Sequence, residues 1–147
     1  MIQNGLHGPG NDFRHQQIIS WLIYDLMKKF VEVKSYKNFI AIPELSLKPR
    51  NNQIPDLTVY KTVRGIPTEV VLLVEICNAK KIKDDTSKLT ELMQKIQSVK
   101  EAIVIDKDNL DIYKIKRAKS GKPTIAKKDS KIDIFKIDIS NTVKSVI

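Results

Sequence analysis

The stretches I54-P-D-L-T-V-Y-K61 and E69-V-V-L-L-V-E-I-C-N-A-K80 decide how this chain is read. The first is a short β-like run opened by Pro55. The second is apolar on both faces from Glu69 to Ile76, the pattern of a central strand covered on both sides. Arg64, Gly65, Ile66 and Pro67 between them read as a turn. A buried apolar strand has little use for a carboxylate unless it is paired or binds a metal, yet Glu75 ends this one. Val71, Leu73, Glu75 and Cys77 share one face by period 2. If the two strands form a hairpin, Asp56 and Glu75 meet across it. Two carboxylates, with help from the Ile76 carbonyl, are oxygen ligands of the kind that suit Mg²⁺ or Mn²⁺.

Outward from this centre the periodicity predicts a helix over 13–33. His15, Ile19, Leu22, Ile23, Leu26 and Phe30 fall on one stripe, Asn11 or Asp12 offers a cap, and Trp21 and Tyr24 lie off the stripe. Phe39–Leu47 is β-like but contains Pro43, as at an edge, at a bulge or between two short strands. A second helix is expected from Asp84 or Asp85 to about Ser98, with Leu89, Leu92, Met93, Ile96 and Val99 inward. Ala102–Asp106 and Leu110–Lys116 read as a hairpin across 107–109. Ile132–Ile139 reads as a further strand, and Ser140 or Asn141 as the cap of a short last helix. Residues 1–11, rich in glycine, read as a flexible lead-in to a single domain over 1–147. The expected fold class is α/β (α+β): a mixed sheet flanked by helices.

Composition narrows the function classes. The 147 residues carry 26 Lys and Arg against 17 Asp and Glu, a formal net charge of +9. That balance favours polyanionic partners, nucleic acid first. Residues 114–136 hold nine of the cations, among them Lys116, Arg117 and Lys119, against only Asp129 and Asp133. No apolar run approaches the ~18 residues of a membrane helix, and no secretory leader is recognisable. One cysteine excludes a disulfide framework and a multi-cysteine zinc site. The expected setting is the reduced cytoplasm. There is no GxGxxG, P-loop, G-x-S-x-G or HExxH motif. Cys77 reads as a small buried hydrophobe rather than a nucleophile.

With these residues in view, the chain resembles the PD-(D/E)xK phosphodiesterase superfamily and, within it, the Uma2 family of restriction-endonuclease-like proteins. Five ordered segments carry the likeness over about residues 13–116. They are RHQQIISWLIYDLMKKF (14–30), IPDLTVYK (54–61), VVLLVEICNAK (70–80), DDTSKLTELMQKI (84–96) and EAIVIDKDNLDIYKI (101–115). The resemblance implies a restriction-endonuclease-like core and metal-dependent hydrolysis of phosphodiesters, DNA more than RNA. It makes Asp56 and Glu75 metal ligands, with Ile76 adding its carbonyl, and places His15 near the site as a ligand-orienting or phosphate-contacting group. The third motif position is Cys77 instead of lysine. In the Uma2 family a lysine of the next helix takes that role, and Lys88 matches it, to hold water or stabilise the developing charge. Lys80 and Lys81 are its rivals, and Lys95 lies too far along. Glu44, Gln53 and Asn78 are lesser candidates. Lys80, Lys81, Lys116, Arg117 and Lys119 are the expected nucleic-acid contacts. Proteins of the superfamily often act as dimers, for which Trp21 and Tyr24 would supply apolar surface. The readings kept beside this one are a catalytically degenerate nucleic-acid-binding module of the same fold and a protein-interaction domain whose charge serves solubility.

Overall fold

Helix α1 (Phe13–Glu32) forms where the 3.6-residue stripe ran, and it buries His15, Ile18, Ile19, Leu22, Leu26 and Phe30. The computed structural model describes residues 13–44 and 54–146. The expected lead-in, the Asn11 or Asp12 cap, Gln53 and the stretch Leu45–Leu47 lie outside the described residues. After α1 the chain turns through Lys34–Tyr36 into β1 (Phe39–Pro43), which stops at the proline. Pro43 is the last residue of an edge strand, where its missing N–H breaks no central ladder.

Strands β2 (Leu57–Val63) and β3 (Ile66–Cys77) form the expected antiparallel hairpin, with two register shifts. Its tip is Arg64-Gly65, both at positive φ (54° and 78°). This is the two-residue geometry that matches strand twist and favours glycine. The 3₁₀ turn Ala79–Lys81 leads into α2 (Ile82–Lys95). Helix α2 then returns the chain to β4 (Glu101–Asp106), parallel to β3, as a parallel neighbour requires. Strand β5 (Ile112–Lys116) closes the second hairpin, and β6 (Lys127–Lys128) ends the sheet. The order is β1-β2-β3-β4-β5-β6, mixed and six-stranded. One face packs under α1 and the other under α2. Leu72, Val74, Ile76, Ile103 and Ile105 meet Ile18, Leu22, Leu26 and Phe30. Leu73, Cys77, Ala102, Val104 and Ile115 meet Leu89, Leu92 and Met93.

Three expectations change. First, α2 starts two to three residues early and ends at Lys95, not Ser98. Asp84 and Asp85 sit in its first turn without capping it. Arg117 closes its C-terminal end, the guanidinium donating to Met93 O (2.8 Å) in the last turn and to Ile96 O (3.0 Å) and Val99 O (2.7 Å) just beyond it. Second, Ile132–Ile139 is not one strand. Strands β7 (Lys131–Ile132) and β8 (Ile137–Asp138) pair with each other around a 3₁₀ turn, Asp133–Phe135. The buried Glu101 carboxylate accepts the N–H groups of Asp133 (2.9 Å) and Ile134 (2.8 Å), which removes them from any ladder. Phe135 plunges among Phe30, Tyr36 and Phe39, with ring centroids 4.7 to 5.4 Å away. Lys136 completes the turn at φ 53°. Third, α3 (Ser140–Lys144) is started by an upstream acid: Asp138 Oδ1 accepts the Ser140 N–H at 2.9 Å. Helix α3 docks on α1, where the Thr142 hydroxyl donates to the Asp25 carboxylate.

Candidate active site

Because β2 runs antiparallel to β3, it begins where β3 ends. Asp56 therefore stands beside Glu75 and Ile76, nineteen and twenty residues later in sequence. The two residues brace each other. Asp56 N–H donates to Glu75 Oε1 at 3.0 Å, and Ile76 N–H donates to Asp56 Oδ2 at 2.7 Å. A strand residue turns its N–H and C=O to the same edge, so the Ile76 carbonyl shares the side on which Asp56 lies. Both carboxylates are buried.

The helices close this sheet end from opposite faces. From α1, His15 Nε2 lies 3.2 Å from Asp56 Oδ2, and the His15 side chain is buried. From α2, Lys88 Nζ donates to Glu75 Oε2 and reaches the Ile54 carbonyl at 3.5 Å. The sheet thus brings together Asp56, Glu75, Ile76, His15 and Lys88 of the sequence-derived set. Lys80 and Lys81 project from the exposed 3₁₀ turn that follows β3. Glu44 is at this end through its backbone, its N–H donating to Asp56 O at 2.9 Å, while its side chain is exposed. Asn78 is exposed between β3 and the 3₁₀ turn.

Burial and crowding divide the two acids. Burial raises the Glu75 carboxyl, the Asp56 charge raises it further, and Lys88 only partly offsets them, so it is pushed up to about 8. Burial also works against a charge on Asp56, but hydrogen bonds from His15 and Glu75 and the Ile76 N–H hold it below its usual range. With no cation between them, one proton stays on Glu75 while Asp56 carries the charge, the arrangement expected of two carboxyls in one dry site.

Asp85, for which the sequence pattern signals only a helix cap, lies beside this site. It is half-buried one helical turn before Lys88, hydrogen-bonded with the Cys77 thiol, and feels both Lys88 and Asp56. Burial raises its carboxyl. Its i, i−3 spacing from Lys88 was the available signal. The Cys77 thiol, buried and facing Asp85, Asp106 and Glu75, is pushed up to about 12, so it is no nucleophile at neutral pH. Among the described residues no three His, Cys, Asp or Glu side chains form a ready-made ligand cluster. A cation here would rest on two carboxylates, a backbone carbonyl and water.

The basic segment lies elsewhere. Lys116 pairs with Glu101, and Glu101 pairs with Leu72, three residues before Glu75. That is about 10 Å along the strands and another ~10 Å across two strands. Arg117 and Lys119 lie beyond it. Arg117 spends four N–H donors on backbone carbonyls, including Gly121 O at 2.7 Å. Lys114 is buried against Asp133 (2.9 Å), Asp129 (3.0 Å) and Glu101 (3.5 Å). Lys116, Lys119, Lys122, Lys127, Lys128, Lys131 and Lys136 are exposed.

No helix among the described residues is long and apolar enough to cross a membrane. No family model matches the chain, and no curated protein matches it. Among solved structures it is similar to a crystal structure from Anabaena variabilis described as a "putative nuclease belonging to DUF820". The TM-score is 0.62 at 12% identity, over 95% of this chain and 85% of that one. At that identity the likeness shows the fold: this chain has the mixed-sheet architecture of that protein.

Proposed function

We propose that this protein is a metal-dependent nuclease that hydrolyses phosphodiester bonds, DNA being the favoured substrate, and that it belongs with the PD-(D/E)xK enzymes and their Uma2 branch. The observation that carries this reading is the meeting of Asp56 and Glu75 at one sheet end, with Lys88 on one carboxylate and His15 on the other. The fold shared with a protein described as a nuclease supports it.

Asp56, Glu75 and the Ile76 carbonyl would hold one or two Mg²⁺ or Mn²⁺ ions. Their oxygen donors fit a hard cation that keeps several waters. The proton held on Glu75 is the cost of crowding two carboxyls, and a cation relieves that cost. Once bound, the ion supplies charge neutralisation on the phosphate and a water of lowered pKa. Lys88 then holds the attacking water beside Glu75 or donates to a non-bridging phosphate oxygen as charge develops. The water oxygen forms the new P–O bond as the ester P–O bond breaks. His15 fixes the orientation of Asp56. Lys80 and Lys81, exposed beside the site, are suited to the flanking phosphates. Lys116, Arg117 and Lys119 are too distant to touch the scissile one.

A second reading is a non-cleaving nucleic-acid-binding module. Cys77, in the motif position usually held by lysine, favours it. Cleavage of plasmid and oligonucleotide DNA with Mg²⁺ or Mn²⁺, by wild type and by Asp56→Asn, tests the choice. Cleavage by wild type that disappears in the variant is expected. Salt-sensitive binding without cleavage would favour the second reading.

A further inference from the structure

The first turn of α2 holds two adjacent acids, Asp84 and Asp85, and they face different ways. The next turn sets the directions. Lys88 reaches Glu75, and Leu89 is buried against β3 with Leu73 and Cys77. Asp85 stands three residues before Lys88 and four before Leu89, so it shares their face, and it is half-buried. Asp84 is one residue further round the helix and exposed. The helix dipole favours an acid at both positions, so it does not explain why one of them turns inward. There, burial and the Asp56 charge oppose a carboxylate, and Lys88 and Lys81 only partly offset them. Asp85 has a partner in this place. The Cys77 thiol lies on the α2 face of β3, two residues past Glu75 and on the same side. It stays protonated, so its S–H donates to the Asp85 carboxylate.

We infer that Asp85 is the third acid of the cation site, accepting hydrogen bonds from the waters of an ion held by Asp56 and Glu75, and that Cys77 is the residue that positions it. The inference rests on the metal-dependent reading above. It adds to that reading an outer carboxylate and a role for the cysteine that stands where the motif has lysine. Two features put Asp85 on the ion's waters and not on the ion. Among the described residues no three His, Cys, Asp or Glu side chains close into one ligand cluster. Strand residues two apart are separated by ~6.6 Å, so an acid held over Cys77 is about one water away from a cation at Glu75. A hard cation of the Mg²⁺ type keeps several waters, and those waters need acceptors. Asp56 and Glu75 are buried, whereas Asp85 is half-exposed and open to water.

The experiment titrates Mn²⁺ calorimetrically into the full chain and its variants, so the readout is affinity and not turnover. Circular dichroism checks that each variant is folded, and Asp85→Ser replaces Asp85→Asn if the latter is not. Asp85→Asn should weaken Mn²⁺ binding about 10- to 100-fold, the usual effect of removing a group that supports a metal's ligands. Asp84→Asn, in the same helical turn, should leave the affinity unchanged. Cys77→Ser, which keeps a donor, should retain most of the affinity, and Cys77→Ala should lose part of it. The loss caused by Asp85→Asn should persist in a Lys88→Ala background, because the acid acts on the ion's waters and not through the lysine. Equal affinity of wild type and Asp85→Asn would overturn the inference. So would equal losses in Asp84→Asn and Asp85→Asn, which would mark only a charge at the helix end, or a loss that vanishes without Lys88. Wild-type affinity in Cys77→Ala would remove the cysteine's part. Binding abolished by Glu75→Ala but untouched by Asp85→Asn removes this inference alone. Absence of binding by the wild type removes the metal-dependent reading and this inference with it.

Discussion

Glu75 carries two burdens, since it is buried and it faces Asp56. Its carboxyl is pushed up from 4.5 to about 8, so the folded metal-free protein holds a proton that the unfolded chain releases near 4.5. The stability this contributes is full below about 4.5 and is lost as pH rises through about 8. Thermal unfolding in EDTA should therefore show a downward slope between those pH values that Glu75→Gln flattens; an unchanged slope would place the proton elsewhere. The same proton must leave when a cation binds, so Mn²⁺ affinity measured from pH 6 to 8 should rise by up to about tenfold per unit. Lys88→Ala should lower the cleavage rate about 10²- to 10⁴-fold, with Mn²⁺ binding retained. Lys80→Ala and Lys81→Ala should stay near wild-type rates, and a reversed order would reassign the lysine. At this scale the site was legible where chemistry is conspicuous: an acid in an apolar strand and an acid after a proline. Asp85 was not legible, because a helix's first turn favours acids whether or not they face a site.

The elements show where alternation fails as a guide. The β2–β3 and β4–β5 hairpins follow from apolar period and turn residues, which depend on near neighbours. The 132–139 segment alternates like a strand, but Glu101, about thirty residues earlier, captures its N–H groups, and the cluster of Phe30, Tyr36 and Phe39 captures Phe135. No local pattern announces either partner. Phe135→Ala should cost about 3–5 kcal/mol in denaturant unfolding. Lys114→Met, which leaves the buried Glu101 without its cation, should cost about 3–5 kcal/mol as well. Values under about 1 kcal/mol would mean that the C-terminal segment is not held by these contacts. The end of α2 has the same kind of cause, since Arg117, just past β5, takes the Met93 and Ile96 carbonyls there.

Across the whole molecule, the basic segment read from the sequence is separate from the carboxylate pair, and not all of its charge is free. Two of its nine cations are occupied within the fold, Lys114 by acids and Arg117 by carbonyls. Lys116 is level with Leu72 two strands across from β3, and Lys128 is level with Glu75 but three strands, about 14 Å, away. That surface can reach only nucleic-acid backbone away from the scissile phosphate, so Lys116→Gln with Lys119→Gln should reduce the salt dependence of DNA binding while leaving the cleavage rate at saturating substrate unchanged. The central claim is that Asp56 and Glu75 together hold a divalent cation. Calorimetric titration of Mn²⁺ into wild type and Glu75→Ala tests it most directly. Saturable binding to the wild type that is lost in the variant is expected. Equal binding by both proteins, or none by wild type even with DNA present, would contradict it.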